Sequence, residues 1–566
     1  MRTGGRLLVD ALRRHGIDRV FCVPGESYLS ALDAFYDTPE IDLVVAKHEG
    51  AASNMAEADG KLTGRPGICF VTRGPGATHA SVGVHTARHD ATPLILCVGQ
   101  VPRHLRGREA FQEIEYRQLF QPIAKWIEEV DRAEEIPAVV LRAFETATSD
   151  RPGPVVLSFP EDVLEESSAV PDARPFVPSF AAPSDRDLSR LHSELQRAER
   201  PLLIVGGSCW SADGCAALRR FARENSLPVL ASFRRQDLID NDDPQYVGHL
   251  SVGVPPHVRQ RATSADLIVS LGCRLSEIPT SGYSLLTPPR PAMRLVHVYP
   301  DSRELNRVYQ ADVAIAASPS VTAERLATLG PIAAPVWREW ARSARREHEA
   351  FSAVPGGEPP CGVDLSEVIR HVSASVPRAT TMASGAGNFT IWVHRFFTYK
   401  QRLTQLAPTS GAMGYGVPAA IAAALRNPGA VSVCVAGDGD FLMYPQELAT
   451  AKEYGARVIV LVVNNSSYGT IRMHQEQKFP GRVSGSVLRG PDYAALGRAF
   501  GAYAERVETT AGFAPAFERA LATGGLAVLD LAVDPRQLTP DLRLAQVSGV
   551  VGRAMRQPED PDIERW

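Results

Sequence analysis

The sequence predicts an α/β protein of three domains, each a doubly wound parallel sheet with helices on both faces. Three observations carry that expectation. At 566 residues the chain is too long for one hydrophobic core and suits about three domains of ordinary size. Apolar runs rich in Val, Ile, Leu and Cys, such as 67–72, 93–99, 155–159 and 201–205, alternate with segments of helical period, and runs without polar alternation belong to strands buried on both faces. Two breaks rich in Pro, Ala, Ser and Gly, at 166–189 and 336–360, interrupt the alternation and suit linkers.

The first domain is therefore expected over 1–165, the central one over 190–335 and the third over 361–534. A charged, proline-containing tail, 535–566, is expected to drape over the surface or cap a site. With 44% hydrophobic, 22% charged and 7% aromatic residues the composition is that of a packed globular protein. The net charge of −4, spread without a block of one sign, gives no footprint for nucleic acid or anionic lipid, so small molecules or proteins are the expected partners. No apolar run is long enough to span a membrane and the N-terminus lacks a targeting pattern, so a cytoplasmic location is expected. The eight cysteines form no CxxC pair; Cys22, Cys69, Cys97, Cys273 and Cys434 lie in or beside apolar runs and suit buried positions in a reducing compartment.

The strongest local signal is one βαβ unit. A strand over 431–436 leads into the loop Gly437-Asp438-Gly439-Asp440, a helix over 445–454 stops at Gly455, and a second strand covers 458–463. Ligands of doubly wound sheets bind beyond the carboxyl ends of the strands, and these two ends carry Asp438 and Asn464-Asn465. A carboxylate and an amide oxygen so placed suit Mg²⁺, whose remaining ligands come from phosphate oxygens and water. The glycines beside Asp438 let backbone amides approach a diphosphate.

Gly437-Asp438-Gly439 followed by Asn464-Asn465 resembles the thiamin diphosphate motif of the enzyme family that includes acetolactate synthase and the 2-oxoacid decarboxylases, and the resemblance extends over nearly the whole chain. It implies thiamin diphosphate and Mg²⁺ as cofactors. Asp438, Asn465 and the Ser467 carbonyl would hold the metal, with Gly437, Gly439 and Asp440 around the diphosphate. The cofactor's aminopyrimidine needs a carboxylic acid at its far nitrogen to deprotonate the thiazolium. The segment Lys47-His48-Glu49-Gly50 resembles the family's glutamate segment and makes Glu49 that catalytic group, while His48 and His79 are expected to pack or hydrogen-bond locally. Gly74 belongs to a segment resembling the family's GPG turn. Gly411 and Met413 would hold and bend the cofactor, and Gly385 and Asn388 would face its diphosphate. The first domain would be aminopyrimidine-binding and the third diphosphate-binding. Because those domains meet across subunits in the family, a homodimer or homotetramer is implied.

Within the family the nearest likeness is acetolactate synthase, which makes Gln100, Phe111 and Gln112 candidate substrate residues. The implied reaction decarboxylates a 2-oxoacid such as pyruvate and transfers the acyl carbanion equivalent to a second carbonyl. Departures bear on that second substrate. The family's Lys after the proline is replaced in Phe159-Pro160-Glu161-Asp162, the last Arg of its central-domain run is Ile278, and the Trp favouring a larger acceptor ketoacid is His474. A weakened cationic clamp points to an aldehyde, sugar or neutral ketone as acceptor. His85, His89 and His474 are candidate acid/base groups for such a variant. FAD is a further candidate cofactor: Val205-Gly206-Gly207-Ser208 and Arg274 keep part of the family's flavin text, although Ala231-Ser232-Phe233-Arg234-Arg235-Gln236 departs from it. The alternatives are a 2-oxoacid decarboxylase that does not ligate and a cofactor-binding protein without catalysis.

Overall fold

The computed structural model describes residues 1–332, 335–355 and 361–551, the last four by backbone alone. Three six-stranded sheets, parallel throughout, form its framework. The first domain contains β1 (Arg2–Thr3), β2 (Arg19–Cys22), β3 (Asp42–Val45), β4 (Gly67–Val71), β5 (Leu94–Gln100), β6 (Trp126–Glu129), β7 (Pro154–Pro160) and β8 (Ser167–Ser168). Its sheet runs β3-β2-β4-β5-β7-β6, while β1 and β8 pair antiparallel and tie the start of the domain to its end. β4, β5 and β7 are buried at every position, which is why their sequences read as unbroken apolar runs.

The central domain runs β9 (Pro201–Val205), β10 (Val229–Ala231), β11 (Tyr246–His249), β12 (Leu267–Leu271), β13 (Arg294–Tyr299) and β14 (Val313–Ala316), in sheet order β11-β10-β9-β12-β13-β14. The third has β15 (Thr381–Ser384), β16 (Gln405–Leu406), β17 (Ser432–Gly437), β18 (Val458–Asn464), β19 (Tyr503–Val507) and β20 (Ala527–Ala532), in order β16-β15-β17-β18-β20-β19. The first and third sheets therefore share one topology and the central sheet has another.

One expectation needs correction. The stretch taken as a linker over 336–360 contains a 15-residue helix, Arg338–Ser352, that belongs to the central domain. Trp337 Nε1 donates to Asn225 O, Trp340 Nε1 to Pro201 O, and Arg345 to the carbonyls of Asn241, Asp243 and Tyr246. Its charged composition hid an amphipathic helix whose arginine stems lie along the domain surface. The Gly356-Gly357-Glu358-Pro359-Pro360 part of that stretch lies outside the described residues. In the tail, β21 (Gln537–Thr539) and β22 (Leu542–Arg543) form a hairpin, followed by the helix Leu544–Val551; 552–566 lie outside the described residues.

The first and third domains share a hydrophobic core. Helices Glu49–Thr63 and Gly416–Arg426 face each other through small residues, among them Ala52, Ala56, Ala419, Ala420 and Ala423, so their backbones approach closely. Buried in that contact, Glu57 accepts from Thr92 Oγ1 and Tyr415 OH, each at 2.6 Å, and Lys61 pairs with Glu57 and Asp90. Buried charges persist when paired and hydrogen-bonded in this way. The five strand cysteines are buried as expected, whereas Cys209 and Cys215 are half-buried and Cys361 is exposed; all eight are free thiols.

Candidate functional site

The strand order of the third sheet reverses between β15 and β17, the place where doubly wound sheets bind ligands. A cavity of about 430 Å³ lies there. Its walls come from the turn after β15 (Ala386, Gly387, Asn388), the turn after β17 (Gly437 to Asp440) and the turn after β18 (Asn465, Ser467, Tyr468), with Gly411 and Met413 alongside. The expected loop at 437–440 is instead one helical turn, Asp438–Phe441, so Gly437 ends the strand and residues 437–440 line the cavity.

Asp438 Oδ1 accepts from the Gly439 amide at 2.9 Å, whereas its Oδ2 is buried without a hydrogen-bond partner. Burial pushes its carboxyl up to about 6, and that of Asp440 up to about 7. An anionic oxygen held away from water and left unpaired, beside the Asn465 amide and the Ser467 backbone, is the donor set of a hard divalent cation. These residues fit Mg²⁺. Asp440 does different work: its Oδ1 accepts from the Gly414 amide at 2.7 Å and the Ala386 amide at 3.3 Å, joining the two loops on either side of the cavity. Gly385 has to lack a side chain, since a Cβ there would stand 2.1 Å from Asp440 Oδ1.

Glu49 begins the helix Glu49–Thr63 directly after β3, where His48 Nδ1 caps the Gly50 amide at 3.0 Å. Its Oε2 lies 2.9 Å from His79 Nδ1, on the helix Pro75–Asp90, and the His48 and His79 rings stack at 4.7 Å. The local packing expected of both histidines is present, and His79 is in addition a direct partner of Glu49. Gly74, in a left-handed conformation with φ of 54°, precedes that helix and donates to Tyr116 OH. Phe111 and Gln112 lie on a turn against Gly74, with Phe111 75% exposed.

The expected residues thus fall into two groups. Gly411, Met413, Asn388, Gly437, Asp438, Gly439, Asp440, Asn465 and Ser467 line one cavity, and Gly385 sits at its edge. Glu49, Gly74, Phe111 and Gln112 stand in the first domain and do not line it. Gln100 presents no free polar atom: it donates to Ile114 O and Glu129, and its Oε1 accepts from the Val101 amide, so it braces the first domain from inside. His474 lies on an exposed helix face against Gln477, outside the cavity. His85 and His89 pack on one another at 4.5 Å. The hairpin residues Leu538, Pro540 and Arg543 form part of the cavity wall; of the two placements expected of the tail, over the surface or capping a site, this is the second. In the central domain Gly206-Gly207 follow β9, Gly272 follows β12, and Arg274 pairs with Glu304.

The geometry agrees with three comparisons to known families. Residues 2–119 match the thiamine pyrophosphate enzyme N-terminal TPP binding domain, 188–326 the central domain and 385–531 the C-terminal TPP binding domain. Among similar proteins, the acetolactate synthase large subunit of Parasynechococcus marenigrum is 32% identical over 513 residues, covering 88% of this chain and 82% of that protein. The probable acetolactate synthase large subunit of Methanocaldococcus jannaschii is 28% identical over 95% of this chain and 93% of its own length. The Escherichia coli acetolactate synthase isozyme 2 large subunit is 27% identical over 94% and 95%.

Proposed function

Because this chain belongs to the acetolactate synthase-like family of thiamin-diphosphate-dependent enzymes, we propose that it decarboxylates a 2-oxoacid such as pyruvate and transfers the two-electron acyl fragment to a second, neutral carbonyl. One observation carries the chemical part of that reading: Asp438, Asn465 and Ser467 converge at the switch point of the third sheet with one carboxylate oxygen unpaired. There they would hold Mg²⁺ on a diphosphate.

Thiamin diphosphate, when bound, supplies the electron sink for the departing carboxylate. The chain supplies placement and proton handling. Glu49 holds a proton for the aminopyrimidine, with His79 on its second oxygen fixing the carboxyl plane. Met413, Phe389, Trp392, Ile471 and Leu538 make the cavity wall apolar and keep water from the reacting carbon. Glu49 stands apart from the cavity of its own chain, so a complete site takes Glu49 from one subunit and the Asp438 cavity from another, which makes the working unit at least a homodimer. The neutral acceptor follows from Ile278 and from His474, which points to solvent and offers no clamp to a carboxylate.

The test is direct. Purified protein with thiamin diphosphate, Mg²⁺ and pyruvate is incubated alone and with a panel of aldehydes and ketones, and products are identified by mass spectrometry. A ligated product that requires the second carbonyl is expected. Acetolactate from pyruvate alone would overturn the acceptor assignment, and acetaldehyde alone would overturn the carboligase.

A further inference from the structure

In a sheet of order 3-2-1-4-5-6, such as the central one, a dinucleotide lies where the strand order reverses, with its diphosphate on the turn after the first strand. That place is between β9 and β12. The two glycine turns there touch: a Cβ on Gly207 would stand 2.1 Å from the Gly272 carbonyl oxygen, and one on Gly272 2.6 Å from that of Gly206. The turn's carbonyls are taken as well, Gly206 O by Trp210 Nε1 at 2.9 Å and Gly207 O by Arg235 Nε at 3.0 Å. After β10, where an acidic residue would take a ribose hydroxyl, the chain runs Ser232-Phe233-Arg234-Arg235.

An arginine there could meet a nucleotide phosphate, but Arg234 is turned elsewhere. It is 3% exposed and its two terminal nitrogens donate to carbonyls of the third domain, Gly385 O at 2.8 Å and Pro408 O. Arg235 reaches the first domain, donating to Asp90 O at 3.1 Å. The residues that follow continue the seam: the Gln236 amide donates to Gln405 Oε1 at 2.7 Å, and Asp237 Oδ2 accepts from the Thr404 amide at 3.1 Å. The segment thus joins three domains, with Arg235 Nε seated on the glycine turn after β9.

Gly385 and Pro408 open the two loops that flank the diphosphate cavity, the same loops that Asp440 joins from inside through Ala386 and Gly414. A planar guanidinium with one carbonyl on each arm fixes the spacing of those loops from behind. We propose that Arg234 is a positioning residue for the cofactor cavity, bracing its two loops across the domain boundary, and that the central domain, its two glycine turns packed together and Arg235 seated on the first of them, takes no flavin dinucleotide. The first half rests on the thiamin-diphosphate reading of the cavity; the second does not.

The experiment uses the full-length protein. Wild type, Arg234→Met and Arg234→Lys are stripped of cofactor, titrated with thiamin diphosphate at fixed Mg²⁺ by calorimetry, and assayed for kcat at saturating cofactor, with thermal melts alongside. Losing both bonds is expected to weaken cofactor binding about tenfold, with kcat at saturation changed far less. Arg234→Lys, which keeps the charge but loses the fork, is expected to fall between and settles the point if Arg234→Met does not fold. Folded variants that bind thiamin diphosphate like wild type would overturn the bracing role. Flavin is measured separately by absorbance after denaturation and by equilibrium dialysis against FAD. None is expected, and one flavin per chain would overturn the second half. Wild type that binds no thiamin diphosphate would instead strike at the function proposed above.

Discussion

Glu49 and His79 show how much a single contact decides. A glutamate at a helix start is an ordinary feature, favoured by the positive end of the helix dipole, but one whose Oε2 meets an imidazole at 2.9 Å in a pocket of two stacked histidines is held in one orientation. Glu49→Gln keeps the shape and removes the proton, so kcat is expected to fall by about 10²- to 10⁴-fold while the melting temperature stays unchanged. Steady-state kinetics with a parallel melt check this, and a variant retaining full activity would refute the assignment. His79→Leu removes orientation only, and a loss of about tenfold in kcat is expected, recovered in part by His79→Gln, whose amide can still donate to the carboxylate. Asp438 was legible only together with Asn464-Asn465 at the end of the next strand, because glycine on both sides of an aspartate suits an ordinary tight turn just as well. The Glu49–His79 pair was less visible, since it is made between two helices and no spacing announces it.

At the scale of elements, the visible features were those with a strong short-range signature. The βαβ unit ending in Asp438 and Asn464-Asn465 could be placed from apolar runs and turn glycines alone. The helix Arg338–Ser352 could not, because its sequence is mostly charged and its burial comes from Trp337 and from arginine stems lying across the central domain. That helix brings His348 against His257, and the domain seam brings His249 against His394. Burial pushes His249 and His257 down to about 4, and His348 and His394 also titrate below the usual range. Their neighbours do not reverse this: His394 faces Arg234, and His257 lies between Glu347 and the cations Arg261 and Arg395. Unfolded, these histidines bind protons near pH 6.5; folded, His249 and His257 do not until about pH 4, and His348 and His394 are shifted in the same direction. The stability they allow is therefore present above the unfolded value and lost progressively as pH falls below it. Melts by calorimetry at pH 7.5 and 5.5 should show a drop of several degrees, and an unchanged melt would mean that these rings already carry charge in the folded protein.

The whole molecule depends on what periodicity cannot encode. Three sheets were legible, but strand order was not, because apolar runs identify buried strands without saying which lie side by side. It is the shared order of the first and third sheets, and the core formed between helices Glu49–Thr63 and Gly416–Arg426, that set Glu49 away from the cavity of its own chain. That arrangement has a consequence that can be counted. The proposed site, spanning two subunits, would use Glu49 of one and Asp438 of the other, so Glu49→Gln and Asp438→Ala chains are each expected to be inactive alone. When the two are dissociated, mixed in equal amounts and reassembled, half of the dimers are hybrids. Each hybrid has one site with both defects and one with neither, so mixing should restore about one quarter of wild-type activity. If each chain instead completed its own site, every site would carry one defect and mixing would restore nothing. Activity measured before and after reassembly, with the hybrid isolated through a tag on one chain, distinguishes the two arrangements.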